Sequence, residues 1–160
     1  DVLEQILSGG RTSIIYKEMV RDKKIALGAA SYATYPGGKY PGLFLFFVVP
    51  NTGHSVEENE KSVYEIIDRV KKEKPDAAAL QRVKTNLRAG LIQKLDSNSG
   101  LASELASYQA GFGDWRKLFT ELDEYNQVTA DDVQRVAQKY LLENTRTVVY
   151  TYVPGKEDAK

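Results

Sequence analysis

Residues that hold metals are almost missing from this chain. It has no cysteine and a single histidine among 160 residues. The lack of cysteine excludes a disulfide scaffold and a thiolate metal site, and leaves cytosol and periplasm equally open. A catalytic zinc takes about three protein ligands of the His/Glu type, and one imidazole does not supply that set. Excess charge is missing too: 22 basic residues face 22 acidic ones, so no global field draws nucleic acid or an anionic membrane. No apolar run reaches the roughly 20 residues that a membrane helix needs. Neither nucleic acid nor membrane is an expected partner. No secretory leader is visible. The chain opens on Asp1-Val2-Leu3-Glu4, already amphipathic, and this reads as an internal cut in a longer protein.

What is present fits one domain, able to bury roughly 70% of its unfolded surface. Val2, Leu3, Ile6 and Leu7 sit at helical spacing before Gly9-Gly10. Thr12 or Ser13 is placed to cap a short helix ending near Arg21. Ile25 to Tyr35 reads as a strand, the breaker-rich Pro36–Gly42 as a loop, and Leu43 to Val49 as a second strand. That second strand is apolar at every position, which predicts cover on both faces. Ser55 with Glu58 forms a capping-box pattern before a helix marked by Val56, Val63, Ile66, Ile67 and Val70. Lys74-Pro75-Asp76 breaks it, and Leu80, Val83, Leu87, Leu91 and Leu95 stripe the next helix. Gly90 inside that stripe predicts close packing. Asp96–Gly100 reads as a loop, followed by a helix with Leu101, Leu105, Tyr108 and Phe112, and another with Leu118 and Leu122. Thr129 with Asp132 resembles a weak capping box before Val133, Val136 and Ala137. The β-branched run from Thr145 to Val153 reads as a closing strand, and 156–160 as a frayed tail. The layout is α+β: a mainly antiparallel sheet with helices on one side, in a single domain over 1–155.

Few residues carry obvious chemistry. His54-Ser55-Val56-Glu57-Glu58 superficially matches H-x-x-E-H, but ends in Glu, and reads as a loop histidine beside a helix cap. Gly9-Gly10 is either a helix stop or a place where backbone amides approach a bound peptide or anion. Arg11, Lys17, Arg21, Lys23 and Lys24 cluster locally, interrupted by Glu18 and Asp22, as on a solvated helix face. There is no G-x-S-x-G elbow and no P-loop. Tyr32, Tyr35, Phe44, Phe46 and Phe47 are core or hairpin aromatics, and an uncovered sheet would turn them into a binding face.

The run Leu7-Ser8-Gly9-Gly10-Arg11-Thr12-Ser13-Ile14-Ile15-Tyr16-Lys17-Glu18-Met19-Val20-Arg21-Asp22-Lys23 resembles the L-G-G-G-x-S-S-R-L-Y-x-x-L-R-E-K segment of the insulinase/pitrilysin zinc peptidases, which include the mitochondrial processing peptidase. Val128-Thr129-Ala130-Asp131-Asp132-Val133 through Ala137-Gln138-Lys139-Tyr140-Leu141 is similar to that family's V-T-x-x-D-V-x-x-V-A-x-K-Y-L, and Thr145–Val149 to its closing strand. The resemblance covers nearly the whole chain in order. It implies a processing-peptidase-like fold and a metal-free, non-catalytic C-terminal-type domain. Such a domain would wall the substrate chamber and assist peptide binding, while zinc sits in a partner catalytic domain or subunit. It also implies that Gly9 and Gly10 match a substrate-handling glycine loop, and that Arg21 stands at the Arg position of an Arg/Tyr pair. At the Tyr position this chain has Leu27 or Gly28, so the pair is incomplete. Arg21 is equally placed for a structural ion pair. The resemblance leaves open a non-proteolytic assembly module of the same family. A thin sheet with exposed edges predicts self-association of the chain.

Overall fold

The computed structural model describes residues 1–152. It contains α1 (Val2–Ser8), a π-helix (Tyr16–Asp22), β1 (Ala26–Tyr35), β2 (Leu43–Pro50), α2 (Val56–Lys72), α3 (Ala77–Leu95), α4 (Asn98–Phe112), α5 (Lys117–Gln127), α6 (Ala130–Tyr140) and a 3-10 turn (Glu143–Thr145). β1 and β2 form an antiparallel pair with Ala29 opposite Val48, Ala30 opposite Phe47 and Ser31 opposite Phe46. Because side chains alternate along a strand, Ala29, Phe44, Phe46 and Val48 point to one face and pack on the core. Gly28, Ala30, Tyr32, Leu45, Phe47 and Val49 share the other face.

The core lies between the sheet, α1, the π-helix, α2 and α6. Leu7, Ile15, Met19, Ile66 and Ala137 are fully buried there. α2 enters it through a cap in which the Glu58 N–H donates to Ser55 Oγ at 3.1 Å. The Glu58 carboxylate turns to His54 instead of completing the box. α6 has the full reciprocal box, with Thr129 and Asp132 exchanging bonds at 3.0 and 3.1 Å. Asn59, buried on α2, donates to the Ile25 carbonyl at 3.0 Å and to that of Ser55 at 2.9 Å, which fixes where β1 starts.

Several expectations are corrected. Ser13 caps nothing: its hydroxyl donates to the Gly10 carbonyl at 2.7 Å, and the helix it precedes has π spacing, with Lys23 N–H bonded to Glu18 O. β2 is covered on one face only: Phe44, Phe46 and Val48 pack on the core, while Phe47 on the opposite face keeps 56% of its surface exposed. α4 starts at Asn98, because Ser97 Oγ accepts from Gly100 N–H at 3.0 Å and converts the expected loop into a helix cap. Gly90 meets open space within 4 Å of where a Cβ would lie, so no close packing explains it.

The closing strand is absent among the described residues. A strand needs a ladder partner, and residues 146–152 lie instead along α2. Arg146 stacks on the Tyr64 ring at 4.0 Å, the Tyr150 hydroxyl donates to Glu60, and that of Tyr152 donates to Glu57 at 3.4 Å. Val153 and the expected tail at 156–160 fall outside the described residues.

Candidate functional site

Gly9 and Gly10 end α1. The Gly9 N–H donates to Gln5 O and the Gly10 N–H to Ser8 O, each at 2.8 Å. Both amides are therefore engaged within the turn. A Cβ on Gly9 would collide with the Gln5 carbonyl, and Gly10 has φ +80°, a conformation that favours glycine. The pair reverses the chain tightly and leaves a bare backbone surface.

Arg21 lies on the π-helix. Both that helix and α1 pack against β1, so the three residues marked by the sequence all flank one strand. Neighbouring charges fix the π-helix onto α2: Arg69 pairs with Glu18, and Lys23 Nζ donates to Ser62 Oγ at 3.1 Å. Arg21 takes no part in these contacts. Its guanidinium binds the Asp22 carboxylate through Nε at 2.7 Å and through a second nitrogen at 3.0 Å, in the open. The hydrogen bond to Asp22 raises the Arg21 pKa above its ordinary value, and the same bond holds the Asp22 carboxyl below its usual range. At the position where the resemblance implies a tyrosine, Leu27 is exposed at a pairing irregularity between Ala26 and Gly28 and brings no hydroxyl; the tyrosine near Arg21 is Tyr16, five residues earlier on the π-helix.

The hairpin aromatics divide by alternation, which the sequence treated as one group. Phe44 and Phe46 pack inward, their rings 5.2 Å apart. Tyr32, Tyr35 and Phe47 are exposed, as are Leu43 and Val49. The two sheet edges differ as well. α1 covers the outer edge of β1: Ser31 N–H donates to Ser8 Oγ at 2.9 Å, and Ala33 N–H to Glu4 Oε2 at 3.2 Å. Among the described residues β2 has no third strand on its outer edge. Sequence reading missed this asymmetry; the small polar Ser8 and the carboxylate Glu4, four apart on one helix face, are the signal that could have shown it.

Zinc is the metal that the resemblance implies, and the donors here do not fit it. His54 Nδ1 lies 2.8 Å from Glu58 Oε2, Glu60 accepts from the Tyr64 and Tyr150 hydroxyls, and among the described residues no three His, Cys, Asp or Glu side chains converge.

Comparison with known proteins agrees with this architecture. The zinc protease PqqE of Helicobacter pylori is 27% identical over 155 residues, 94% of this chain and 33% of that protein. The chain thus spans about a third of the length of that relative. A crystal structure of a protease from Helicobacter pylori superposes with a TM-score of 0.78 at 26% identity, covering 89% of this chain and 34% of the other. An inactive peptidase domain from Bordetella parapertussis shares the fold, with a TM-score of 0.81 at 22% identity over 99% of this chain and 84% of that one. Residues 1–87, which hold the glycine turn, Arg21, the hairpin and α2, match the profile described as the Peptidase M16 inactive domain. This chain belongs to the family of peptidase M16 inactive domains.

Proposed function

We propose that this chain is the non-catalytic domain of a zinc-dependent metalloendopeptidase, that it walls the chamber in which peptides are held, and that a partner domain or subunit supplies zinc, water and general base. The observation that carries the reading is the asymmetry of the hairpin. One face is packed by helices; the other is apolar and bare, with Tyr32 and Phe47 exposed by 48% and 56%. One edge is occupied by α1, and the other has no ladder partner among the described residues. An extended peptide can add to the β2 edge through main-chain hydrogen bonds while its alternate side chains lie on that face. The same surface offers a second copy a place to dock, so the isolated chain is expected to self-associate.

In this reading Gly9 and Gly10 supply shape and not amide donors, because their N–H groups are already engaged. Arg21 spends two N–H groups on Asp22 and keeps others that can donate to a peptide carbonyl. With Leu27 or Gly28 where the resemblance implies a tyrosine, the domain lacks one donor to a developing oxyanion, a contribution worth about 3 kcal/mol. That deficit favours the second reading, an assembly module of the same family that takes no part in proteolysis.

The test has two arms. The dialysed chain is expected to hold no stoichiometric zinc and to cleave no unfolded peptide. With its zinc-bearing partner, Phe47→Asp is expected to raise KM for a peptide substrate with kcat less affected. Zinc or turnover in the chain alone overturns the proposal; an unchanged KM assigns the chain to the assembly role.

A further inference from the structure

A cleft of about 180 Å³ lies between α3 and α5, enough for the end of one residue. α3 contributes two cations to it, Lys84 and Arg88, which are four apart and so share a helix face. Lys84 Nζ donates to the main-chain carbonyl of Asn126 at 2.7 Å, which anchors its ammonium at the end of α5. Arg88 has no hydrogen-bonding or ionic partner among the described residues. An unpaired arginine on an open surface is ordinary; here it borders a concavity with apolar walls. Phe119 and Leu122 form those walls, and the Phe119 ring is 56% exposed. Asn126 lines the cleft as well, and its carboxamide makes no hydrogen bond among the described residues.

The charge balance narrows what fits. Two cations and one anion, Asp123, line the cleft. One negative charge is matched; a dianion such as phosphate would meet Asp123. The apolar wall favours a carboxylate that carries a hydrophobic group, and the carboxamide complements a neighbouring amide. A peptide's last residue unites all three: carboxylate, side chain and preceding peptide group.

We propose that the α3–α5 cleft binds the C-terminal residue of a peptide ending in an apolar or aromatic side chain, with Arg88 and Lys84 on the carboxylate, Phe119 and Leu122 on the side chain, and Asn126 on the last peptide group. The site is independent of Arg21 and of the sheet face, so it stands whether or not the domain walls a chamber.

N-acetyl-L-phenylalanine is the smallest probe with all three features. Titrated into the isotope-labelled chain, it is expected to shift amide resonances of α3 and α5 in a saturable way. N-acetyl-L-phenylalaninamide, which lacks the charge, should bind about tenfold more weakly or worse, since a hydrogen bond to a charged group is lost. Arg88→Gln and Phe119→Ala should each weaken the acid by a similar factor. Both residues are exposed, and unchanged hairpin resonances verify that the variants are folded. The proposal is overturned if the amide binds as well as the acid, if Arg88→Gln binds normally, if inorganic phosphate displaces the probe at equal concentration, or if no saturable shift occurs.

Discussion

The two halves of this molecule are built differently. In the half made of the hairpin, α1, the π-helix, α2 and α6, apolar side chains reach complete burial, and the junctions made by α2 have polar ties: Asn59 to Ile25, Arg69 to Glu18, Gln134 and Gln138 to the α2 C-terminus. In the half made of α3, α4 and α5, only Val83 and Leu118 are buried, and α4 buries nothing. Phe112, Trp115 and Phe119 of that half are exposed, with Arg116 stacked on Trp115 at 4.8 Å and Lys117 over Phe112 at 5.0 Å. Stability in a protein is not uniform, and surfaces that bind come from its less buried parts. The first half is a scaffold that positions the sheet face; the second is a lobe whose surface remains available.

The difference is broken most directly by making the same kind of cut in each half. Leu7→Ala empties a fully buried position and is expected to cost about 3 kcal/mol. Phe112→Ala removes a larger but half-exposed ring and is expected to cost under about 1 kcal/mol. Urea unfolding of both variants measures this, and equal losses would show that the lobe is as tightly packed as the core.

Polar ties sharpen the same contrast. Asn59→Ala removes two donors from buried carbonyls, and a loss of about 2 kcal/mol is expected. Tyr125→Phe removes the hydroxyl that lies 2.7 Å from Glu121 and 3.0 Å from Asp1, the residue just before α1. It is expected to cost about 1 kcal/mol, and hydrogen exchange should speed up in α4 and α5 while α2 remains protected. Uniform acceleration would mean that the two halves open as one unit.

Much of the scaffold was legible in the sequence because its signals are local. Gly9-Gly10 and the caps at Ser55 and Thr129 each fix a chain reversal or a helix start within four residues, and the Pro36–Gly42 breakers fix the hairpin loop. What escaped was non-local. Val148 and Val149 favour a strand, but propensity supplies no partner edge, and the segment packs by side chains on α2 instead. The π spacing around Met19 lies in hydrogen-bond register, which composition does not encode. The bare face of β2 reads as apolar just as a covered one does; only the packing of Phe44, Phe46 and Val48 on the core distinguishes them. The family residues Gly9, Gly10 and Arg21 were visible through resemblance, but their engaged amides and the Arg21–Asp22 pair were not. Lys84, Arg88, Phe119 and Asn126 come from two helices and form no motif, so the cleft they line had no sequence signature beyond two cations four apart.

The smallest effect separates the halves by acid. Asp132 belongs to the scaffold, since it caps the helix that buries Val133 and Ala137. The Thr129 hydroxyl donates to its carboxylate at 2.7 Å and Arg135 binds it at 2.9 Å, and these bonds pull its pKa from 3.8 to about 2, the Thr129 bond first. Because the folded value is the lower one, the charged cap stabilises the fold fully above the unfolded value, and that contribution is lost as pH falls from 3.8 toward about 2. The group is solvent-exposed, so screening keeps the effect small and salt-sensitive. Ser97, which caps α4 in the lobe, carries no charge and contributes no such slope. Thermal melts across this acid range are therefore expected to flatten in Asp132→Asn and to remain parallel to the parent in Ser97→Ala. A slope that survives Asp132→Asn would move the acid sensitivity of the scaffold to carboxylates other than its α6 cap.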